Sequence, residues 1–253
     1  MNKFYFIFSF AFILTNIFNT VAVDNKSLGE FCEKRLQNAK LVGWLKFEEH
    51  FKRINESGEL KQEYESIPEG KLFPSDEGAK DENRVKNRYL DKYLAYDHSR
   101  VKLNKRYGDI EVVLDKCDFL DHYIVRNYLL RYQNKNKLVT HYHFMSWPDE
   151  GVPEHPSIMF NFVKAVRANR DYRPAKPLVV HCAGGMGRTG TFILIDSMLQ
   201  AVQKFRKVDF AQQLCSMRSR RINLVETYPQ YVFAHEVLSL AINEIKKAPR
   251  VHI

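Results

Sequence analysis

One short segment combines a thiol, a glycine-rich turn and a guanidinium at a spacing suited to phosphate chemistry. Cys182 opens the segment and Arg188 closes it, with five residues between them. The apolar residues 178–180 before it are typical of a buried strand, and residues 191–199 after it are typical of a buried helix. Such a turn points backbone N–H groups at one position, where the helix dipole adds partial positive charge.

This setting predicts a reactive anion site. The N–H groups are expected to lower the pKa of Cys182 and hold it as the nucleophilic thiolate. Arg188 offers a planar fork of donors that grips two phosphate oxygens, so a phosphate monoester suits the site. The alternative is an ordinary buried cysteine in a turn. The residues expected to line the bound phosphate are Ala183, Gly184, Gly185, Met186 and Gly187.

A second segment, Trp147-Pro148-Asp149, supplies a carboxyl group upstream of the thiol. The oxygen that leaves a phosphate ester needs a proton, and Asp149 is the predicted donor. Pro148 limits the conformations of this segment. The alternative is a proline-rich turn in which an acidic residue caps a helix.

Residues 181–190 resemble the signature of the cysteine-dependent protein tyrosine phosphatases, and residues 146–153 resemble that family's mobile acid loop. The second resemblance implies that Trp147 anchors the hinge of the loop. The resemblance implies an α/β fold, with a central mixed twisted sheet flanked by helices, and hydrolysis of phosphotyrosine in proteins through a phosphocysteine intermediate. Residues 86–91 also match, which implies that Tyr89 stacks on the substrate's phenyl ring and that Asp91 accepts hydrogen bonds from the bound peptide. No metal or other cofactor is implied, because the loop and arginine provide the charge stabilisation.

The chain departs from the family at two places. Relatives carry several tens of residues where residues 103–107 join directly here, so part of the sheet, including the strand beside residues 178–180, is expected to be missing. Its absence predicts exposed apolar surface and unpaired strand edges. Glu226 stands where relatives have a glutamine that positions the hydrolytic water, and its charge opposes an anionic intermediate. Gln230 matches the family's next glutamine and is a candidate for part of that task.

These departures leave a second function open, namely a catalytically impaired protein that binds and shields phosphotyrosine. In the leading hypothesis the protein is an active protein-tyrosine phosphatase. Intact Cys182, Arg188 and Asp149 favour it.

Strands and amphipathic helices are predicted around these segments. Strands are expected at residues 109–114, 123–132 and 138–145, with a hairpin turn at 133–137, and helices at 157–167, at 210–217 capped by Asp209, and from 227 onwards. Residues 218–221 are predicted to form a solvated basic turn.

Composition is consistent with one catalytic domain. The chain has 253 residues, is 45% hydrophobic and carries a formal charge of +9. Because the charge includes no dense Lys/Arg run, a solvated surface is expected; nucleic acid is an unlikely partner, and a phosphotyrosine-containing protein is the expected one. Four cysteines are too few and too scattered for a disulfide framework, and none has metal-ligand spacing.

The N-terminus predicts export. Lys3 precedes an apolar stretch at residues 4–14, and small residues at Thr20 and Ala22 offer a cleavage point. We therefore expect a signal peptide at residues 1–22, a phosphatase-like domain at 27–247 that is shortened near 103–107, and a secreted protein without a stable membrane span. An uncleaved N-terminal anchor is the alternative, and the oligomeric state stays open.

Overall fold

The structure, a computed structural model, describes residues 40–68, 109–148, 151–168 and 178–247. The chain divides into two compact units, residues 1–101 with 172–253 and residues 102–171. In chain order the elements are β1 (Val42–Gly43), a 3-10 helix (Trp44–Lys46), α1 (Phe47–Glu56), α2 (Glu59–Ser66), β2 (Glu111–Phe119), β3 (Tyr123–Tyr132), β4 (Lys135–Phe144), α3 (Pro156–Ala168), α4 (Gly187–Phe205), β5 (Lys207–Val208), α5 (Phe210–Arg218) and α6 (Tyr228–Lys247).

Helix α4 forms the centre of the first unit. Nearly all of its residues from Gly187 to Val202 are buried, and α5 and α6 pack against it. The helix begins at Gly187, whereas its apolar residues predicted a helix from residue 191. The end of the segment from Cys182 to Arg188 is therefore already helical. Asp209 caps α5 as predicted, because its side chain accepts a hydrogen bond from Gln212 N at 2.9 Å.

A buried imidazole makes the stability of this unit depend on pH. His235 on α6 stacks on Phe210 with ring centroids 3.6 Å apart, and burial lowers its pKa from 6.5 to about 3. It therefore stays neutral in the folded state, whereas the unfolded chain binds a proton below pH 6.5. We predict that this residue removes about 1.4 kcal/mol of stability per pH unit as the pH falls from 6.5 towards 3.

Urea unfolding at pH 7 and pH 5 measures this effect. The variant His235→Phe should lose the corresponding part of the pH dependence, because it has no group to protonate. Equal pH dependence in the two proteins would contradict the assignment.

The second unit contains an antiparallel sheet in the order β2-β3-β4. Strands β3 and β4 pair from Tyr123 with Phe144 to Tyr132 with Lys135, so their turn is two residues long and the predicted turn at 133–137 was too long. Phe162 of α3 packs on Tyr123 and Phe144, with ring centroids 5.3 and 4.9 Å apart, respectively. This helix closes one face of the sheet near the end of β4.

The α/β class is confirmed, but two details of the expected sheet are corrected. Residues 178–180 are half-buried and form no strand, and every strand pair within the described residues is antiparallel. A strand exists only when a neighbour accepts and donates its backbone hydrogen bonds. On β2, Val112, Leu114 and Phe119 are 50%, 52% and 76% exposed, so this edge strand presents apolar side chains at the surface. Among the helices that the structure describes, none has the length and hydropathy of a membrane span.

Candidate active site

The Cys182 sulfur lies at the N-terminus of the central helix. Its Sγ accepts a hydrogen bond from Gly185 N at 3.2 Å, and Gly185 takes a φ of +70°, a conformation that favours glycine. Helix α4 begins two residues later, and Met186 at its N-cap makes no side-chain capping bond. The first N–H groups of a helix have no partner within it, so they are available to a charged group in front of it.

Hydrogen bonding at this site favours the charged form of the thiol. Burial raises the pKa of Cys182, but the Thr189 hydroxyl and the backbone N–H groups of Thr189, Met186 and Gly185 outweigh it, so that the pKa falls below its usual value. Thr189 Oγ1 is buried and forms no hydrogen bond of regular geometry, so its contact with the sulfur falls short of a formed bond. We attribute the lowered pKa mainly to the backbone donors, with the hydroxyl adding to it.

Arg221 donates hydrogen bonds to the backbone carbonyl groups of the glycine turn. Its Nε donates to Gly185 O at 2.9 Å and its Nη2 donates to Gly184 O at 3.1 Å. Burial lowers the pKa of this guanidinium, and attraction to Cys182 raises it, so the cation and the sulfur interact. The two bonds turn the carbonyl groups toward Arg221, and the charge favours the thiolate.

Arg218 is buried as well, with 0% exposure. It donates from Nε to Leu224 O at 3.0 Å, from Nη1 to Ile67 O at 2.8 Å and from Nη2 to Val225 O at 2.9 Å. The prediction of a solvated basic turn at residues 218–221 was therefore wrong at both of these arginines. Their long side chains reach carbonyl groups that local sequence does not reveal.

Leu224 and Val225, to whose carbonyl groups Arg218 donates, lie against the start of α4. Val225 is buried with a φ of +57°, a strained conformation for a β-branched residue. A Cβ at Gly190 would lie 2.3 Å from Val225 N. Only glycine permits this approach, which brings residues 224–226 to the anion site.

We predict that Gly190→Ala lowers the free energy of unfolding by about 3 kcal/mol, because the added methyl meets backbone atoms that cannot rotate away. Urea denaturation measures the loss. Gly43→Ala is the matched control, since a Cβ there meets nothing within 4 Å and the residue's φ is −64°. The control should change stability by about 0.5 kcal/mol or less. Equal losses in both variants would contradict the packing described.

Two polar side chains from the segment after Val225 lie beside the first residue of α4. A Cβ at Gly187 would lie 2.9 Å from Gln230 Nε2 and 3.1 Å from Glu226 Oε2. Gln230 Oε1 also accepts a hydrogen bond from Glu226 N at 3.0 Å, which fixes the glutamine side chain. An amide and a carboxylate thus lie where a water molecule could approach the anion site.

The chain matches the family model described as Protein-tyrosine phosphatase over residues 104–239, which is more than half of its length. The chain belongs to the protein-tyrosine phosphatase family.

Three relatives illustrate this similarity. Receptor-type tyrosine-protein phosphatase F of Danio rerio is 30% identical over 269 residues, which cover 75% of this chain and 14% of the relative. Tyrosine-protein phosphatase Lar-like of Caenorhabditis elegans is 27% identical over 267 residues, covering 76% of this chain and 12% of the relative. Tyrosine-protein phosphatase 99A of Drosophila melanogaster is 40% identical over 144 residues, covering 54% and 11%. The chain therefore spans a small part of each of these relatives.

The structure describes some of the remaining predicted site residues of this phosphatase family member and not others. Arg188 is the second residue of α4 and is half-buried. Trp147 lies in the second unit, where its Nε1 donates to Gly151 O at 3.0 Å across the acid loop. Tyr89, Asp91 and Asp149 lie outside the described residues. Within the described ranges, no group of three side chains is arranged to hold a metal ion.

Sequence reasoning missed Arg221 and Arg218 as residues that support the phosphatase loop. The available signal was an arginine cluster shortly before Glu226, in a chain that otherwise spreads its charge. Such a cluster is usually solvated, and only the tertiary fold shows which guanidinium reaches the loop carbonyls.

Proposed function

We propose that this protein hydrolyses phosphotyrosine in proteins through a phosphocysteine intermediate. In the first step the Cys182 sulfur forms a bond to phosphorus while the bond from phosphorus to the tyrosine oxygen breaks, and Asp149 gives its proton to that oxygen. In the second step water attacks phosphorus, Asp149 takes a proton from it, and the sulfur–phosphorus bond breaks. Phosphate leaves and the thiolate is restored.

A single observation carries the proposal, namely the lowered pKa of a thiol that accepts a hydrogen bond from the turn before α4. The same N–H groups face the oxygens of a phosphate bound above the sulfur, and Arg188 at the start of the helix adds two donors. Donors placed in advance stabilise charge in the transition state without reorganising. The three relatives, each named as a tyrosine-protein phosphatase, support the same chemistry.

Substrate selection in this proposal depends on the depth of the site. Tyr89 stacks on the phenyl ring and Asp91 binds the peptide backbone, so phosphotyrosine reaches the sulfur while the shorter phosphoserine does not. The protein partner is accordingly one that contains phosphotyrosine.

The second step is proposed to be the slow one. Glu226 Oε2 lies near Gly187, so its negative charge repels the anionic phosphoryl group on the sulfur and the negative charge that develops on the water oxygen as it loses its proton. Gln230, held by its bond to Glu226 N, is proposed to orient the water. Slow release of phosphate keeps the modified enzyme populated, although turnover continues.

The test compares release of inorganic phosphate from phosphotyrosine and phosphoserine forms of one peptide. We expect release from phosphotyrosine to be at least about a hundred-fold faster, with many turnovers per enzyme molecule. Binding of the phosphotyrosine peptide without release would support the shielding protein instead, and equal release from both peptides would contradict the proposed selectivity.

We also propose that the protein is secreted after removal of residues 1–22. Support comes from the apolar N-terminal sequence and from buried Cys215, which is disulfide-bonded, because such bonds persist in oxidising compartments. Expression of the full chain in a secretory cell line should deliver protein to the medium, and deletion of residues 2–22 should keep it inside. Retention of the full chain in the membrane fraction would favour the uncleaved anchor.

A further inference from the structure

One peptide group connects helix α2 to the polar side chains beside the anion site. Its carbonyl oxygen, Val225 O, accepts hydrogen bonds from Tyr64 Oη at 3.0 Å and from Arg218 Nη2 at 2.9 Å. Its N–H, which belongs to Glu226, donates to Gln230 Oε1 at 3.0 Å. All of these residues lie in the first unit and within the described ranges. The contacts therefore form one continuous route from the tyrosine to the glutamine.

The two ends of this peptide group cannot turn independently. A peptide unit is planar, with its C=O and N–H on opposite sides, so that both rotate together. Val225 holds a φ of +57°, a conformation that a β-branched residue keeps only where surrounding contacts impose it. The Tyr64 hydroxyl and the Arg218 guanidinium are such contacts. Removal of the hydroxyl should let the peptide turn and weaken the bond that Glu226 N donates.

That bond also decides which way the Gln230 amide faces. A backbone N–H can donate to the amide oxygen but not to the amide nitrogen, so Oε1 has to face Glu226 N. Nε2 then lies beside the first residue of α4, where a Cβ at Gly187 would be 2.9 Å from it. An amide turned by half a rotation would offer an acceptor where the structure offers a donor. The orientation of this buried amide thus depends on the peptide after Val225.

We propose that Tyr64 is a positioning residue for the second step, acting through the peptide between Val225 and Glu226 to hold the Gln230 amide toward the attacking water. This inference rests on the proposed phosphatase function. Tyr64 acts on the water only through these intervening groups. The first step, transfer of the phosphoryl group to sulfur, does not use this water and is independent of Tyr64.

The two steps release different products, so each is followed separately. When the enzyme is in excess over p-nitrophenyl phosphate, the appearance of nitrophenol reports formation of phosphocysteine. The appearance of inorganic phosphate reports hydrolysis of that intermediate. A general loss of structure slows both, whereas loss of the positioning contact slows only the second.

We expect Tyr64→Phe to slow release of inorganic phosphate about fivefold and to change release of nitrophenol less than about twofold. In the steady state kcat and KM should fall together, which leaves kcat/KM unchanged. In a Gln230→Ala background Tyr64→Phe should cause no further slowing, since both changes act on the same water.

Tyr231→Phe is the matched control. Its hydroxyl also connects α6 to α2, but it does so by donating to Glu63 Oε1 at 2.9 Å and not through the peptide after Val225. This variant should release both products at the wild-type rates. Equal slowing of phosphate release in Tyr64→Phe and Tyr231→Phe would assign the effect to helix packing and overturn the inference.

Two other results would also overturn the inference, namely unchanged phosphate release in Tyr64→Phe and equal slowing of both products. Failure of the proposed function gives a different result. A wild-type protein that releases nitrophenol no faster than Cys182→Ser would overturn that function, and the positioning role with it.

Discussion

Replacement of Cys182 by serine is expected to lower kcat for aryl phosphate hydrolysis by at least about a thousand-fold. The loop N–H groups lower the pKa of the thiol and so favour the thiolate, whereas a hydroxyl starts from a far higher pKa and stays protonated. A thousand-fold loss corresponds to about 4 kcal/mol of transition-state stabilisation.

Binding of a phosphotyrosine peptide distinguishes loss of the nucleophile alone from disruption of the whole phosphate site. The serine variant keeps the N–H groups and Arg188, so it should still bind a phosphotyrosine peptide. Cys117→Ser is the matched control, because Cys117 is also a free, half-buried thiol but lies on β2. It should retain full activity, and persistence of activity in Cys182→Ser would rule out the covalent mechanism.

Replacement of Arg221 by methionine is expected to lower kcat/KM about a hundred-fold. The change removes two charge-assisted hydrogen bonds, to Gly184 O and Gly185 O, and a positive charge beside the sulfur. Bonds to charged groups contribute about 1.5–3 kcal/mol each, so a partial loss of this support suffices for the effect. The pKa of Cys182 should rise in the variant, and its alkylation rate should fall at neutral pH.

Two further variants show which property of Arg221 matters. Arg221→Lys keeps the charge but loses the planar fork, so its activity should lie between those of the wild type and Arg221→Met. Arg220→Met changes the exposed neighbouring arginine and should have little effect. An unchanged pH dependence of alkylation in Arg221→Met would show that Arg221 does not act on the sulfur.

The sequence was informative where chemistry depends on local spacing. Cysteine and arginine separated by five residues predicted a turn in front of a helix, and α4 does begin inside that segment. The cap at Asp209 was predictable for the same reason, because its partner is three residues away. In both cases the interacting groups are close along the chain.

The prediction failed where structure depends on distant partners. Residues 178–180 have the composition of a strand, but a strand forms only beside a neighbour, and none of the described strands pairs with them. Arg221 could not be assigned for a similar reason, because its acceptors lie 36 and 37 residues away.

The proposed mechanism requires that the donors around the Cys182 sulfur keep it ionised at neutral pH. The most direct measurement is the rate of alkylation of Cys182 and Cys117 in the same protein between pH 5.5 and 8, resolved by peptide mass spectrometry with and without vanadate. We predict that Cys182 reacts faster, that its advantage grows as the pH falls because its pKa is lowered, and that vanadate protects it alone. Equal rates for the two thiols at every pH, without protection by vanadate, would contradict the account.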